Sequence, residues 1–283
     1  MKILAVLAKA CYKKSLILDR SESPMEMRKS KALELLRAGK TVFSVKLNSA
    51  DPRIVEMAAL FDIPCIWVDM EHTANDYAIT EAQIMAGKIN NTDILCRLPR
   101  GSYSDYIRPL ELDAAGIMVP HVMSAEDAKQ VVNMTRFYPI GRRSVDGGNA
   151  DAVYGRLPQA EYNRQANDQR FIVLQIEDPE AMDQIEEIAK VPGYDILFFG
   201  PGDYSHAIGH SGEFDHPDVL AGYQKVADAA KKYGKFAGTV TVGPRENAKK
   251  LQAMGYRYLN LGSDVGALNQ YFDDIANFIS ENE

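Results

Sequence analysis

Eight times along this chain a short apolar run rich in β-formers gives way to a polar loop and then to an amphipathic stretch of helical length. The runs are residues 41–46, 65–69, 94–98, 116–120, 171–177, 195–200, 236–240 and 258–262. Helical candidates between them include 52–61, 125–135, 179–189, 218–233 and 245–254, with apolar residues near i, i+3, i+4 spacing. Cys65-Ile66-Trp67-Val68 and Ile196-Leu197-Phe198-Phe199 are apolar throughout, which suits parallel strands buried on both faces. Eight βα units predict an α/β fold, a (β/α)8 TIM barrel. A Rossmann-type sheet is the main rival. It is weakened because no G-x-G-x-x-G follows a first strand, and neither a P-loop nor a nucleophile elbow occurs.

Two segments depart from the repeat. Residues 1–40 precede the first strand and read as an N-terminal extension whose helix, 25–37, opens after Ser23-Pro24, ends at Gly39 and is placed to plug the barrel bottom. Residues 41–283 then form a single barrel domain, which accommodates the chain length of 283 without a second domain. The second departure is 137–170, between the fourth and fifth strands, where a stretch this long is expected to be functional or to hold structure of its own.

The formal charge of −7 offers no diffuse basic field for nucleic acid or an anionic membrane, which favours small-molecule partners. Cys11, Cys65 and Cys96 match no zinc spacing or disulfide framework, and Lys9 cuts the first apolar run too short for a signal peptide. A cytoplasmic protein is expected.

Barrel chemistry belongs at the C-terminal ends of the strands. There the sequence places Asp69-Met70-Glu71-His72, Arg97, Gln175-Ile176-Glu177 and Gly200-Pro201-Gly202-Asp203. Glu177 and Asp203 suit a hard divalent cation such as Mg²⁺ or Mn²⁺, or else are helix caps or loop carboxylates. His72, three residues after Asp69, reads either as a general acid/base oriented by that carboxylate or as an ordinary loop histidine. Arg97, inside an apolar strand, needs an anionic partner: substrate, or Asp69 or Glu177 in a structural ion pair. Lys46 raises Schiff-base chemistry against the plainer reading of a solvated strand-end lysine. His206, His210 and His216 lie in a Gly- and Asp-rich loop without a frame for zinc and are read as polar loop residues, and Cys96 as a buried strand thiol.

The run Trp67-Val68-Asp69-Met70-Glu71-His72-Thr73-Ala74-Asn75-Asp76 resembles the D-x-E-H-x-x-N-D signature of the HpcH/HpaI family of metal-dependent class II pyruvate aldolases. Further similar stretches follow in order at 112–120, 138–143, 175–177, 199–205 and 261–264, so the resemblance covers roughly Met27 to the C-terminus. It implies a carbon–carbon lyase that cleaves or forms a 4-hydroxy-2-oxo acid from pyruvate and an aldehyde through a metal-bound enolate. It further implies that Glu177 and Asp203 hold Mg²⁺, Mn²⁺ or Co²⁺, that His72 with Asp69 is the acid/base pair, and that Arg97 faces the enolate oxygen. The backbone N–H groups of Gly202 and Asp203 would receive the pyruvate carboxylate, with Gln175 beside the site. Alternatives are an oxaloacetate-type decarboxylase on the same site and a non-catalytic barrel that binds a 2-oxo acid. This chain departs from the family in Lys46, in Gly202 where alanine is common, in Asp62-Ile63-Pro64-Cys65, and in the charged Gly141-Arg142-Arg143-Ser144-Val145-Asp146-Gly147.

Residues 268–279 form an apolar stripe wider than a terminal surface helix needs, with Leu268, Tyr271, Phe272, Ile275, Phe278 and Ile279. Periodicity alone favours packing of this helix on its own barrel. The family resemblance implies instead exchange between subunits of a homo-oligomer, a hexamer or trimer, with Arg142, Arg143 or Asp146 shaping the end of the pocket that receives the aldehyde.

Overall fold

The computed structural model describes residues 25–282. Eight parallel strands close into a barrel in chain order: β1 (Val42–Leu47), β2 (Cys65–Asp69), β3 (Asp93–Arg97), β4 (Gly116–Val119), β5 (Phe171–Ile176), β6 (Ile196–Phe199), β7 (Phe236–Val240) and β8 (Tyr256–Ser263). Among the described residues twelve helices accompany them: α1 (Lys31–Arg37), α2 (Pro52–Ala59), α3 (Tyr77–Ile89), α4 (Tyr103–Glu111), α5 (Ala125–Thr135), α6 (Gln159–Gln169), α7 (Pro179–Asp183), α8 (Ile185–Lys190), α9 (Pro201–Ala207), α10 (Pro217–Lys232), α11 (Asn247–Met254) and α12 (Asp264–Asn282). No helix among the described residues is long and apolar enough to cross a membrane.

Alternation along the strands sorts the apolar residues into two cores. Trp67, Leu95, Met118, Val173, Ile196, Phe198 and Tyr258 fill the lumen, while Ile66, Val68, Ile117, Leu174 and Leu197 face the helices. Ala32, Leu33 and Leu36 of α1 belong to the lumen core and stop the barrel's lower end. The helix is shorter than the expected 25–37. It starts after Ser30, whose Oγ accepts from Leu33 N–H, and Asp93 at the foot of β3 accepts from Ser30 Oγ (2.7 Å) and Ala32 N–H (2.8 Å). Ser23-Pro24 lies outside the described residues, as does Cys11. Gly39 ends the helix as expected, at φ +73, where a side chain would be strained.

Other boundaries moved as well. The stretch read as one helix over 179–189 is two short helices that break at Gln184, with Ala181, Met182, Ile185 and Ile188 all buried in the outer core. Residues 137–170 include α6 and hang on a buried ion network. Asp151 accepts from Arg143 (3.3 Å), Tyr162 Oη (3.0 Å) and Arg170 Nε (2.6 Å), and Arg170 Nη2 donates to Asp113 (2.5 Å). The C-terminal helix does not close its own barrel. None of its residues is buried, and Tyr271, Phe272 and Phe278 stand 58–67% exposed.

Candidate active site at the C-terminal ends of the strands

Register brings the first charged pair together. Asp69 ends β2 directly beside Arg97 at the end of β3, and Arg97 donates Nε (2.9 Å) and Nη2 (2.5 Å) to the two carboxylate oxygens. Lys46 reaches the same carboxylate from β1 at 2.7 Å, and Glu71 Oε2 lies 3.2 Å from Arg97 Nε. The Trp67 ring lies below both cations, 5.2 Å from Lys46 Nζ and 4.8 Å from Arg97 Cζ. Burial alone would raise the Asp69 carboxyl, but Arg97 and Lys46 hold it well below the usual carboxylate range. Thr73 Oγ1 and Asn75 Nδ2 both donate to the Asp69 carbonyl, folding the following loop back over the strand end.

Across the barrel, Glu177 follows β5 and is almost wholly buried. Its Oε1 accepts from the backbone N–H of His121 (3.0 Å) and its Oε2 from Gln175 Nε2. Its ion-pair partner within 4 Å is the ring of His121, at 3.7 Å, which also pairs with Asp178 at 3.0 Å. Burial pushes the Glu177 carboxyl up to about 7, against the pull of His121 and with the added repulsion of Asp203. A Cβ on Gly200 would stand 2.5 Å from Glu177 Oε2, so only glycine lets β6 pass this side chain. Asp203 is exposed in the first turn of α9, where the N–H groups of Gly202 and Asp203 are among the donors a helix leaves without partners of its own. A buried carboxylate with no lysine or arginine of the described residues within ion-pair distance, near enough to a second carboxylate to feel its charge, is the donor set a hard dication would neutralise.

Residues 43–270 match the HpcH/HpaI aldolase/citrate lyase family. The chain belongs to that family. It is 31% identical over 227 residues to a 5-keto-4-deoxy-D-glucarate aldolase of Klebsiella pneumoniae, covering 80% of this chain and 88% of that one. A 2-keto-3-deoxy-L-rhamnonate aldolase of the same species is 32% identical over 240 residues, with 84% and 88% covered. An HpcH/HpaI aldolase structure from Desulfitobacterium hafniense superposes with a TM-score of 0.82 at 32% identity, covering 88% of this chain and 96% of the other.

Several expectations from the sequence need correction. His72 is not paired with Asp69, whose oxygens are taken by Arg97 and Lys46; its ring is exposed and sits 3.6 Å from Glu71. Lys46 is neither solvated nor a free amine but an ion-paired donor. Arg143 does not face a pocket: it is buried against Asp151 and Tyr162, whereas Arg142 and Asp146 are exposed. Asp203 is a helix residue rather than a cap. Two further residues take part: Glu71, which the sequence places at the strand end without a role, lies beside Arg97 and His72, and His121, just past β4, donates its backbone N–H to Glu177.

His210, Glu213 and His216 do come together, without His206, their ligand atoms lying within 4.8 Å of one another. The two imidazoles are stacked 3.4 Å apart with planes 18° from parallel, so both lone pairs cannot point at one ion. His216 Nδ1 also accepts from Asp218 N–H at the start of α10. These contacts make the group a helix cap and a ring stack.

Proposed function

We propose that this chain makes and breaks the carbon–carbon bond beside the keto group of a 2-oxo acid, with pyruvate as one product and an aldehyde as the other, and that it does so with a divalent cation held by Glu177 and Asp203. One observation carries the reading: Glu177 is a buried carboxylate that no lysine or arginine among the described residues pairs with, in a barrel mouth that also carries Arg97 locked on Asp69. When bound, the cation supplies a Lewis acid that draws charge from the keto oxygen. The chain's own residues do the rest. The N–H groups of Gly202 and Asp203 receive the carboxylate of the 2-oxo acid. Arg97, fixed in place because Asp69 accepts from its Nε and Nη2, presents positive charge to the oxygen on which charge accumulates. His72 Nε2 is turned to Glu71, so the other ring nitrogen takes the proton of the 4-hydroxyl. The C3–C4 bond then breaks, its electron pair passes to the enolate, the aldehyde departs, and a proton returned to C3 completes pyruvate.

The same reading extends to assembly. The apolar stripe of α12 covers a neighbouring copy in a homo-oligomer, in which Arg142 and Asp146 border a neighbour's pocket.

The test is a set of aldehydes offered with pyruvate to chelator-stripped protein, with Mg²⁺, Mn²⁺ or Co²⁺ added back. Product should form only with metal. Glu177→Gln and Asp203→Ala should each lose metal binding by calorimetry together with turnover. Turnover that survives chelation, or full metal binding by both variants, overturns the assignment.

A further inference from the structure

Away from the barrel mouth, one cavity gathers charges that the fold leaves without partners. It encloses about 440 Å³, within the range of small-ligand pockets, between α3, α4 and residues 148–154, and none of its walls comes from a strand. Arg108 of α4 lies over the Tyr77 ring, 5.1 Å from Cζ to the centroid, and no carboxylate of the described residues stands within 4 Å of it. Glu111 is three residues further along, a neighbour on the same helix face, yet the two opposite charges flank the cavity instead of pairing. Burial pushes the Glu111 carboxyl up, against the pull of Arg143. Tyr77 is a fixed wall, since its Oη donates to Asp105 at 2.6 Å. A second ring comes from Tyr154, which is 71% exposed on a turn where Val153, Tyr154 and Gly155 have φ of 53, 52 and 76. A β-branched residue seldom adopts that conformation, and such strain persists where neighbours impose it, commonly at ligand clamps. Asn149 imposes it here: its Oδ1 accepts from Ala152 N–H (3.0 Å) and its carbonyl from Tyr154 N–H (2.8 Å).

Either charge alone would be ordinary surface chemistry. A free guanidinium, a half-buried free carboxylate and two aromatic rings around one cavity are together the complement of a zwitterion with a flat side chain. We propose that this cavity is a binding site for an aromatic α-amino acid, separate from the barrel mouth. Arg108 takes the ligand's carboxylate with its planar fork, Glu111 accepts from the ammonium, and the ring lies against Tyr154 and Leu112. The wall of the cavity also holds Asp146: Gly148 N–H donates to Asp146 Oδ1 at 2.8 Å, and Asn149 Nδ2 to its carbonyl at 2.7 Å. An occupant therefore steadies the turn that carries Asp146. The site stands whatever reaction the barrel mouth performs.

The experiment is calorimetry on the full chain in excess chelator, so that no amino acid binds through a metal at the mouth. Three probes share one ring: L-phenylalanine, 2-phenylethylamine, which lacks the carboxylate, and 3-phenylpropanoate, which lacks the ammonium. L-phenylalanine should bind at least about 10-fold more tightly than either, the scale of one charge-assisted pair. Arg108→Met should bring it down to the level of 2-phenylethylamine without weakening the amine, and Glu111→Gln down to the level of 3-phenylpropanoate without weakening the acid. Tyr154→Ala should weaken all three. A wild-type protein that binds the three probes alike, or binds none, overturns the site. So does L-phenylalanine binding that survives both Arg108→Met and Glu111→Gln, since the ligand would then lie elsewhere. Dissociation of a homo-oligomer by Tyr154→Ala, with no probe bound by the wild-type protein, also overturns it and gives the strained turn to a contact between copies.

Discussion

Arg97 shows how much a single residue can disclose before any coordinate is known. A charge within Ile94-Leu95-Cys96-Arg97-Leu98 must be paired, and the sequence left Asp69, Glu177 and substrate as partners. Strand register chooses Asp69. The planar fork makes two parallel bonds that a lysine cannot make, so Arg97→Lys keeps the charge and loses the geometry. Its kcat is expected to fall about 10²-fold or more, the effect of removing one donor at a developing oxyanion, and steady-state kinetics on metal-loaded protein would show it. Unchanged kcat with a raised KM would place Arg97 in ground-state binding instead. His121 was not legible in the same way. It meets Glu177 through its backbone N–H, from a left-handed conformation at φ 50, and no side-chain pattern announces a main-chain donor.

Among the elements, the join between β8 and α12 has the clearest local cause. Asp264 accepts from the backbone N–H groups of Asn48 and Ser49, both at 2.9 Å, and from Val265 N–H, tying the last strand and helix to the loop after β1. Burial alone would raise its carboxyl, but these donors hold it below the ordinary value. A carboxyl lowered in the folded state contributes stability that is complete above its unfolded value of about 4 and fades as pH falls through the folded value. Asp264→Ala should therefore cost about 1–2 kcal/mol at neutral pH, with the gap to the parent narrowing below about pH 4. Urea midpoints at a series of pH values check this. A gap that stays constant into acid would mean that the side chain acts by packing. The α7–α8 break was not readable because two short helices that each bury an inner face have the same apolar spacing as one long helix.

At the scale of the whole molecule, a single copy leaves large apolar side chains uncovered among the described residues. Phe278 is 67% exposed on α12, and Leu60, Phe61 and Ile89, at 68–76%, stand out from the α2 and α3 side of the barrel. Each such side chain gains about 1.5–3 kcal/mol when fully covered, so a stripe of this size favours a second surface strongly. Light scattering at micromolar concentration should find a species well above the 31.4 kDa monomer. Joint replacement of Phe272 and Phe278 by aspartate should shift it to monomer, because carboxylates on the stripe cannot be desolvated without partners. An active wild-type monomer would sink the assembly proposal.

The barrel and the ring of residues at its mouth were written in the sequence because their logic is periodic. Eight apolar β runs separated by helices have few ways to bury both faces of each strand, and once they close in parallel every C-terminal strand end shares one rim. Asp69, Arg97, Gln175 and Glu177 had to converge for that reason. Which of them touch did not follow, because pairing depends on inter-strand register and on the reach of side chains, and neither leaves a mark in composition or spacing. Tertiary structure alone turned Asp69 from His72 to Arg97 and Lys46, buried Arg143 on Asp151, and gave Glu177 only His121 as an ion-pair partner among the described residues. In each case the low dielectric of the interior makes an unpaired charge so costly that the nearest available partner, whatever its distance along the chain, decides the arrangement.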